Sequence, residues 1–123
     1  MKAILLYGHG ARNPEWAQPF HRIRDAVKAR DPGALVEPGF LELMRPTFDE
    51  GVACLVDQGA TRIVVVPIFM AAGSHVKKDL PRLAADAMDR HAGLEIVLAA
   101  PVGEADSVLA AMADYAMGAQ PTD

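Results

Sequence analysis

Two histidines and one glutamate are the residues of this chain whose types and positions are best suited to chemistry. His9 stands between Gly8 and Gly10 directly after an apolar run, Glu42 follows a second apolar run, and His75 follows a third. Two imidazoles and a carboxylate suit a divalent first-row metal such as Co²⁺, Ni²⁺, Fe²⁺ or Zn²⁺. Free imidazole has a pKa of about 6.5, so it can also accept a proton near neutral pH. The alternative, for each residue singly, is an exposed loop position.

The glycines on either side of His9 let the backbone turn sharply and let a large ligand come close. A Gly-x-Gly tripeptide is by itself a weak signal, because it is also typical of an ordinary turn between a strand and a helix. The strands and helices predicted around His9 are therefore needed to distinguish a ligand-binding residue from an ordinary turn.

Four apolar runs predict β-strands. They lie at Ala3–Tyr7, Leu35–Leu41, Arg62–Phe69 and Leu94–Ala99. The third run is apolar on both faces, which suits a strand that is covered on both sides in a parallel sheet. Pro38 donates no backbone hydrogen bond, so the second strand is expected at an edge of the sheet or with a bulge.

Apolar residues at helical spacing predict a helix after each strand. The helices are expected over Pro14–Arg30, Pro46–Gln58, Lys77–His91 and Ala105–Met117. Asn13 is the expected N-cap of the first helix, with Pro14 at its first position. The spacing of its apolar residues predicts one packing face formed by Trp16, Phe20, Ile23 and Val27.

The order βαβαβαβα predicts an α/β fold with a four-stranded, mostly parallel sheet and helices on both faces. We expect a single domain over residues 1–118 and a frayed tail over 119–123. The carboxyl ends of parallel strands share one edge of the sheet, where ligands bind. His9, Glu42 and His75 are therefore expected to point into one crevice.

Composition excludes several classes of function. The chain has 123 residues and a net charge of −4 without a basic block, which argues against general nucleic-acid binding. No apolar run reaches the roughly 18 residues that a membrane span needs, and the start is too short for a signal peptide. A cytoplasmic protein is therefore expected. The single cysteine, Cys54, lies in an apolar helical pattern and is expected to be buried.

Cationic and flexible apolar residues are expected around the crevice. Lys77 and Lys78 fall in the first turn of a predicted helix, where positive charge opposes the helix dipole, and this suggests an anion held nearby. The alternative is solvated surface charge. The other cations expected there are Arg12, Arg45 and Arg82. A further set could line the face of a large ligand or belong to the core, namely Met44, Phe69 and Met70.

Three blocks of the sequence, in this order and spacing, resemble the class II chelatases of tetrapyrrole biosynthesis. The blocks are Leu6–Arg12 (LYGHGAR), Gly39–Leu43 (GFLEL) and Val66–Phe69 with Gly73–Pro81 (VPIF, GSHVKKDLP). The resemblance is nearest to the short, single-domain sirohydrochlorin cobaltochelatases and their nickel-inserting relatives. It covers about residues 2–102.

The resemblance implies that a divalent metal, with Co²⁺ the leading candidate, is inserted into sirohydrochlorin without ATP, a lyase-type reaction of cobalamin or related tetrapyrrole biosynthesis. It implies a homodimer that builds the cleft between subunits, and the metal is a substrate rather than a permanently bound cofactor. His9 and His75 would bind the incoming metal and help remove the pyrrole protons, assisted by Glu42. Substrate contacts would fall on Gly8, Gly10, Arg12, Arg45, Ser74, Lys77 and Lys78. Ala11 departs from the family, which commonly has serine after Gly-His-Gly, and Ser74 replaces a common glycine.

Three alternatives remain open at the level of the sequence. One is a Ni²⁺ or Fe²⁺ chelatase acting on the same substrate, since all these metals suit imidazole ligands. A second is a non-catalytic carrier of metal or tetrapyrrole. A third is a small hydrolase or phosphatase with His9 as nucleophile, although the chain has neither a Gly-x-Ser-x-Gly elbow nor a Gly-x-x-x-x-Gly-Lys phosphate loop.

Overall fold

The computed structural model describes residues 2–122, except for the side chain of His75. Its strands are β1 (Ala3–Gly8), β2 (Leu35–Phe40), β3 (Arg62–Pro67) and β4 (Glu95–Leu98). Its α-helices are α1 (Gln18–Arg30), α2 (Phe48–Asp57), α3 (Ser74–Arg90) and α4 (Asp106–Gly118), with short 3-10 turns at Pro14–Ala17 and Val102–Glu104. The strands form one sheet in the order β2-β1-β3-β4, and all their pairings are parallel. The predicted α/β fold is confirmed.

Alternation along β1 gives the sheet two apolar faces. Leu5 and Tyr7 are fully buried on one side, and Leu6 is buried on the other, because successive side chains of a strand point to opposite faces. Helices α2 and α3 cover the first face with Val52, Leu55, Leu80, Ala84 and Ala87. Helix α1 covers the second face with Phe20, Ile23 and Val27. The expectation of helices on both faces is therefore confirmed.

Strand β2 is an edge strand, as its proline predicts. Pro38 pairs with Leu6 of β1 in the parallel ladder. In a central strand, the N–H that proline lacks would be missing from the hydrogen bonds to a neighbouring strand. An edge strand has a neighbour on one side only, so it tolerates proline. The edge placement puts the loop after β2 directly beside the loop after β1.

Helix α2 shows where the prediction for Cys54 is wrong. Val52 and Leu55 face the sheet and are fully buried, whereas Cys54 is exposed. A rotation of about 100° per residue turns position 54 away from that stripe. The Cys54 sulfur instead lies 3.3 Å from the side-chain amide nitrogen of Gln58.

Helix α1 begins later than predicted. Asn13 caps as expected, since its side-chain oxygen accepts a hydrogen bond from the Glu15 amide at 3.0 Å, and Pro14 opens the turn. The first turn is 3-10, however, and α-helical geometry starts only at Gln18. A 3-10 turn has about 3.0 residues instead of 3.6, so it changes the angular phase of the positions before α1. Trp16 therefore leaves the predicted packing face and is 65% exposed.

Helices α3 and α4 differ in how they pack. Helix α3 starts at Ser74, ahead of the predicted Lys77, and contributes the buried Leu80, Ala84 and Ala87. Helix α4 buries none of its residues. The division into a domain of residues 1–118 and a tail of 119–123 stays a prediction. Within the described residues, no helix is both long enough and apolar enough to cross a membrane.

Candidate functional site

The ladder between β1 and β2 continues past the ends of both strands. The Leu41 amide donates to the Gly8 carbonyl at 2.9 Å, and the Glu42 amide donates to the His9 carbonyl at 3.2 Å. These two hydrogen bonds hold the loop after β2 against the loop after β1. Residues that are 33 positions apart in the sequence (42 − 9) therefore become neighbours.

The side chains of His9 and Glu42 meet at this edge. His9 Nε2 lies 3.5 Å from Glu42 Oε1, and the two side chains are 61% and 55% exposed. Two ligand atoms that are each about 2.1 Å from one metal ion at a tetrahedral angle lie about 3.4 Å apart. The pair is thus spaced to hold one divalent cation, and its exposure leaves room for further ligands on that cation.

Gly10 allows the close approach of the two loops. Its φ is +98°, and a Cβ atom at this position would lie 1.8 Å from the Glu42 carbonyl oxygen. Both observations require glycine, since an L side chain there would be strained and would overlap the backbone of the neighbouring loop. At Gly8, a Cβ would lie 2.4 Å from Cζ of Phe20. The space beside both glycines is therefore filled by the protein itself, and their contact with a substrate stays a prediction.

An open apolar cavity of about 470 Å³ lies beside His9. It is lined by His9, Gly10, Ala11, Trp16, Pro19, Phe20, Phe40, Met44, Ile68 and Phe69. A cavity of this size with an apolar lining and few polar groups is typical of a site for a small molecule or cofactor. Ala11 belongs to this lining, so the missing serine hydroxyl makes the cavity more apolar.

Exposed apolar side chains surround the same edge of the sheet. Trp16, Leu43 and Met70 are all exposed, and they follow β1, β2 and β3 respectively. We call these three residues the apolar rim. Leu43 has a φ of +69°, a left-handed conformation that is uncommon for a leucine. Large exposed apolar groups after three neighbouring strands are typical of a surface that binds an apolar ligand or partner.

Tyr7 lies in the core, two positions before His9. Its ring makes edge-to-face contacts with Phe48 and Phe69, each with 5.8 Å between ring centroids. Burial raises the pKa of Tyr7 to about 12, and the carboxylates of Asp79 and Glu42 add to the shift. The phenol therefore stays neutral at physiological pH. Among the described residues its hydroxyl finds no hydrogen-bond partner.

Arg45 is paired within the protein. Its guanidinium bonds both carboxylate oxygens of Glu50, with 3.1 Å between Nε and Oε1. Glu50 also completes a capping box with Thr47 at the start of α2. The hydrogen bond from Arg45, followed by the bond from the Thr47 amide, lowers the pKa of Glu50 to about 2. A substrate contact by Arg45, which stays a prediction, would have to share this guanidinium with Glu50.

The other predicted cations lie on the surface. Arg12, Lys77 and Lys78 are exposed, and Lys77 lines a second cavity of about 210 Å³ beside the end of β4. Arg82, in contrast, pairs with Asp79 at 3.1 Å. The structure thus leaves Arg12, Lys77 and Lys78 accessible to an anionic ligand, and their roles stay predictions.

The backbone of Ser74 and His75 forms the first turn of α3, after β3. Ser74 is exposed. The side chain of His75 lies outside the described residues, so its predicted role as a metal ligand stays a prediction. Within residues 2–122, this side chain left out, no group of three or more His, Cys, Asp or Glu side chains is close enough to hold a metal ion.

Trp16 is the residue beside the cavity that the sequence misplaced. Its spacing to Phe20 matches a helix, and this match assigned it to the packing face. The signal against that assignment is Pro19, which cannot donate an i→i−4 hydrogen bond and stands five positions after Pro14. Two prolines at this spacing favour a separate first turn, which is what the structure has.

Several known proteins are similar to this chain in sequence and in fold. A sirohydrochlorin cobaltochelatase of Methanocaldococcus jannaschii is 40% identical over 91 residues, which cover 74% of this chain and 64% of that protein. The structure of a CbiX protein from Marinobacter aquaeolei VT8 matches with a TM-score of 0.80 at 29% identity, over 95% of both chains. The structure of the sirohydrochlorin chelatase SirB from Bacillus subtilis subspecies spizizenii, in complex with cobalt, matches with a TM-score of 0.78 at 35% identity. That match covers 95% of this chain and 50% of SirB.

The chain thus spans less than two thirds of the length of the Methanocaldococcus protein and about half of SirB. The family model for CbiX matches residues 3–117, from the first strand to the last helix. This match, together with the shared fold, shows that the chain belongs to the CbiX family.

Proposed function

We propose that this chain inserts a divalent metal into sirohydrochlorin without ATP, and that Co²⁺ is the leading metal. The observation that carries the proposal is the pair of His9 and Glu42, 3.5 Å apart on an exposed edge beside an apolar cavity. The names of its relatives support the proposal, since they are called sirohydrochlorin cobaltochelatase or sirohydrochlorin chelatase. The reaction is of the lyase type and belongs to cobalamin or related tetrapyrrole biosynthesis.

The pair has two tasks in this reaction. A metal that is passed on must keep coordination positions open to the pyrrole nitrogens, and two exposed ligands leave such positions open. Insertion of M²⁺ into the macrocycle also releases two pyrrole protons. An unprotonated imidazole and a carboxylate beside the metal can accept them as general bases. His75 is proposed as the second imidazole, from the first turn of α3.

The surroundings suit a large, flat, anionic ligand. The apolar side chains that line the cavity beside His9, together with the apolar rim, can contact the ring of a tetrapyrrole. The carboxylates of sirohydrochlorin need cations, which Arg12, Lys77 and Lys78 would supply from the surface. A net charge of −4 leaves these cations as local attractors on an otherwise acidic protein.

We further propose a homodimer. The chain matches half of SirB, so a second copy would supply the counterpart of the other half. Helix α4 buries none of its residues and exposes Leu109, Tyr115 and Met117, an apolar surface that a second copy would cover. The expected cytoplasmic location stays a prediction.

Variants at the metal-binding pair test the proposal. Purified protein with Co²⁺ and sirohydrochlorin, without oxygen, is expected to shift the absorption bands of the macrocycle faster than buffer does. His9→Ala and Glu42→Gln should each lower the rate, by about 10²-fold where a general base is lost. His21→Ala, which removes an exposed histidine of α1, is the matched control and should leave the rate unchanged. Undiminished insertion by the His9→Ala/Glu42→Gln double variant would contradict the proposal.

Two further measurements separate the alternatives. A carrier would yield at most one metallated macrocycle per site, whereas an enzyme gives many turnovers. Insertion rates for Co²⁺, Ni²⁺ and Fe²⁺ under matched conditions decide the metal, because affinity follows a general order that proteins override by geometry and availability. A His75→Ala variant tests the third proposed side chain in the same assay.

A further inference from the structure

We infer that Trp16 is a substrate-binding residue whose indole ring stacks against the conjugated macrocycle beside His9. The inference rests on the proposed function, because it takes a tetrapyrrole as the ligand. It adds a specific aromatic contact that the pair of His9 and Glu42 does not provide.

The position of Trp16 is unusual for its residue type. It is the only tryptophan of the chain, and it is 65% exposed although indoles are mostly buried in folded proteins. It lines the same cavity as His9, Gly10 and Ala11. An exposed indole at the mouth of an apolar cavity, next to a metal-binding pair, is placed to contact whatever fills that cavity.

The turn that carries Trp16 is held in place before any ligand arrives. The Trp16 amide donates to the Asn13 carbonyl at 3.1 Å, and the Asn13 side chain accepts from the Glu15 amide at 3.0 Å. Pro14 fixes the first φ of this turn. A backbone turn that is already formed loses little conformational entropy on binding, so ligand contacts made by its side chains contribute more of their energy to affinity.

A flat, conjugated ring is the ligand chemistry that suits this arrangement. The other two members of the apolar rim, Leu43 and Met70, are aliphatic and can contact any apolar surface. Within the apolar rim, Trp16 is the one member with a π-face, and a π-face prefers to pack against another π-system. The alternative occupant is a second copy of the chain that buries the indole in a dimer interface, and the experiment below distinguishes the two.

The test measures binding of metal-free sirohydrochlorin by equilibrium dialysis and turnover with Co²⁺ on the same variants. We expect Trp16→Ala to raise both the dissociation constant and KM about tenfold, with little change in kcat. Trp16→Phe keeps a π-face and should stay within about threefold of the unmodified protein. Trp16→Leu keeps apolar bulk without a π-face and should behave like Trp16→Ala. His21→Ala, which removes an exposed imidazole ring of α1 outside the cavity lining, is the matched control for ligand binding.

The outcomes separate this inference from the proposed function. If the unmodified protein binds sirohydrochlorin but inserts no metal, the proposed function fails and dialysis still tests Trp16. If it inserts metal and all Trp16 variants bind equally well, the inference is overturned and the proposed function stands. Sedimentation velocity completes the test. One outcome is that Trp16 variants lose self-association and still bind sirohydrochlorin with unchanged affinity at the sites that remain occupied. This result would assign the indole to a dimer interface and overturn the inference. Because Trp16 is mostly exposed, its variants should keep the unfolding midpoint in urea.

Discussion

The hydroxyl of Tyr7 is a buried polar group without a hydrogen-bond partner among the described residues. A buried group in this state costs its full desolvation penalty, so Tyr7→Phe should raise the free energy of unfolding by about 1 kcal/mol. Chemical denaturation measures this change. Tyr115→Phe, at an exposed position of α4, is the control and should have no effect. A loss of stability in Tyr7→Phe would mean that the hydroxyl makes a favourable bond in the folded protein.

Gly10 controls how closely the loops that carry His9 and Glu42 approach each other. Gly10→Ala would place a Cβ against the Glu42 carbonyl in a left-handed backbone conformation, which itself costs about 1–2 kcal/mol. We expect a loss of at least that much stability, and a larger loss of metal insertion, because the loops that carry His9 and Glu42 must separate. Denaturation and the absorption assay measure the two effects. Gly73→Ala meets open space and should be tolerated in denaturation, and equal stability of both variants would contradict the steric argument.

Residue types and strand ends were enough to predict that His9 and Glu42 lie together. The carboxyl ends of parallel strands lie at one edge of the sheet. The predicted strand before Glu42 had to pair with another strand of this sheet, which places Glu42 at the same edge as His9. The sequence did not show that the carbonyl of Glu42 occupies the place of a Cβ on Gly10. The exposure of Trp16 was also missed, because it depends on the geometry of one short turn, which periodicity does not resolve.

At the scale of elements, the start of α2 predicts a specific pH dependence. The pKa of Glu50 is about 2 in the folded protein, below its ordinary 4.5. A lowered folded pKa gives stability that is present above 4.5 and is lost as the pH falls towards 2. Glu50→Gln should therefore be less stable than the unmodified protein near neutral pH, and the difference should shrink as the pH falls through this window. Urea midpoints measured across it check the prediction.

The control for this experiment is Glu15→Gln, which removes a carboxylate that does not contact Arg45. Its midpoint should follow that of the unmodified protein at every pH. A difference between Glu50→Gln and the unmodified protein that is independent of pH would show that the ion pair contributes nothing and that only the helix cap was weakened.

The existence and order of the elements could be predicted because each has a clear period, but their boundaries could not. Helix α1 follows a 3-10 turn, and α3 begins at Ser74 instead of Lys77. Ser74 and His75 carry no apolar periodicity, so only the backbone geometry after Gly73 assigns them to the helix. The prediction for Cys54 failed for a related reason, since the apolar stripe of α2 is narrower than its run of apolar residues.

At the scale of the whole molecule, the edge position of β2 was predictable from Pro38, and the two covered faces were predictable from alternating strands and helices. The loose packing of α4 could not be predicted from the sequence. Its apolar residues recur at helical spacing, which normally indicates a face that packs on the core. In the structure Val108 and Met112 are half-buried, while Leu109, Tyr115 and Met117 are exposed.

The apolar residues of α4 are spaced for packing, but the helix packs only partly within its own chain, and this predicts a contact with a second copy. We expect the protein to sediment as a dimer, and the Tyr115→Lys/Met117→Lys double variant to sediment as a monomer. Both side chains are exposed, so the variant should still fold, as circular dichroism and the urea midpoint would show. Asp114→Lys introduces the same charge at an exposed polar position of α4 and should remain dimeric.

Metal insertion by the monomeric variant then decides whether one copy holds a complete cleft. The apolar rim is open to solvent in a single chain, and SirB is twice as long as the part of it that this chain matches. We therefore expect the monomer to lose affinity for sirohydrochlorin together with turnover, because half of the surface around the macrocycle would be missing. A monomeric unmodified protein with full turnover would contradict this expectation and would assign the whole reaction to the edge of one four-stranded sheet.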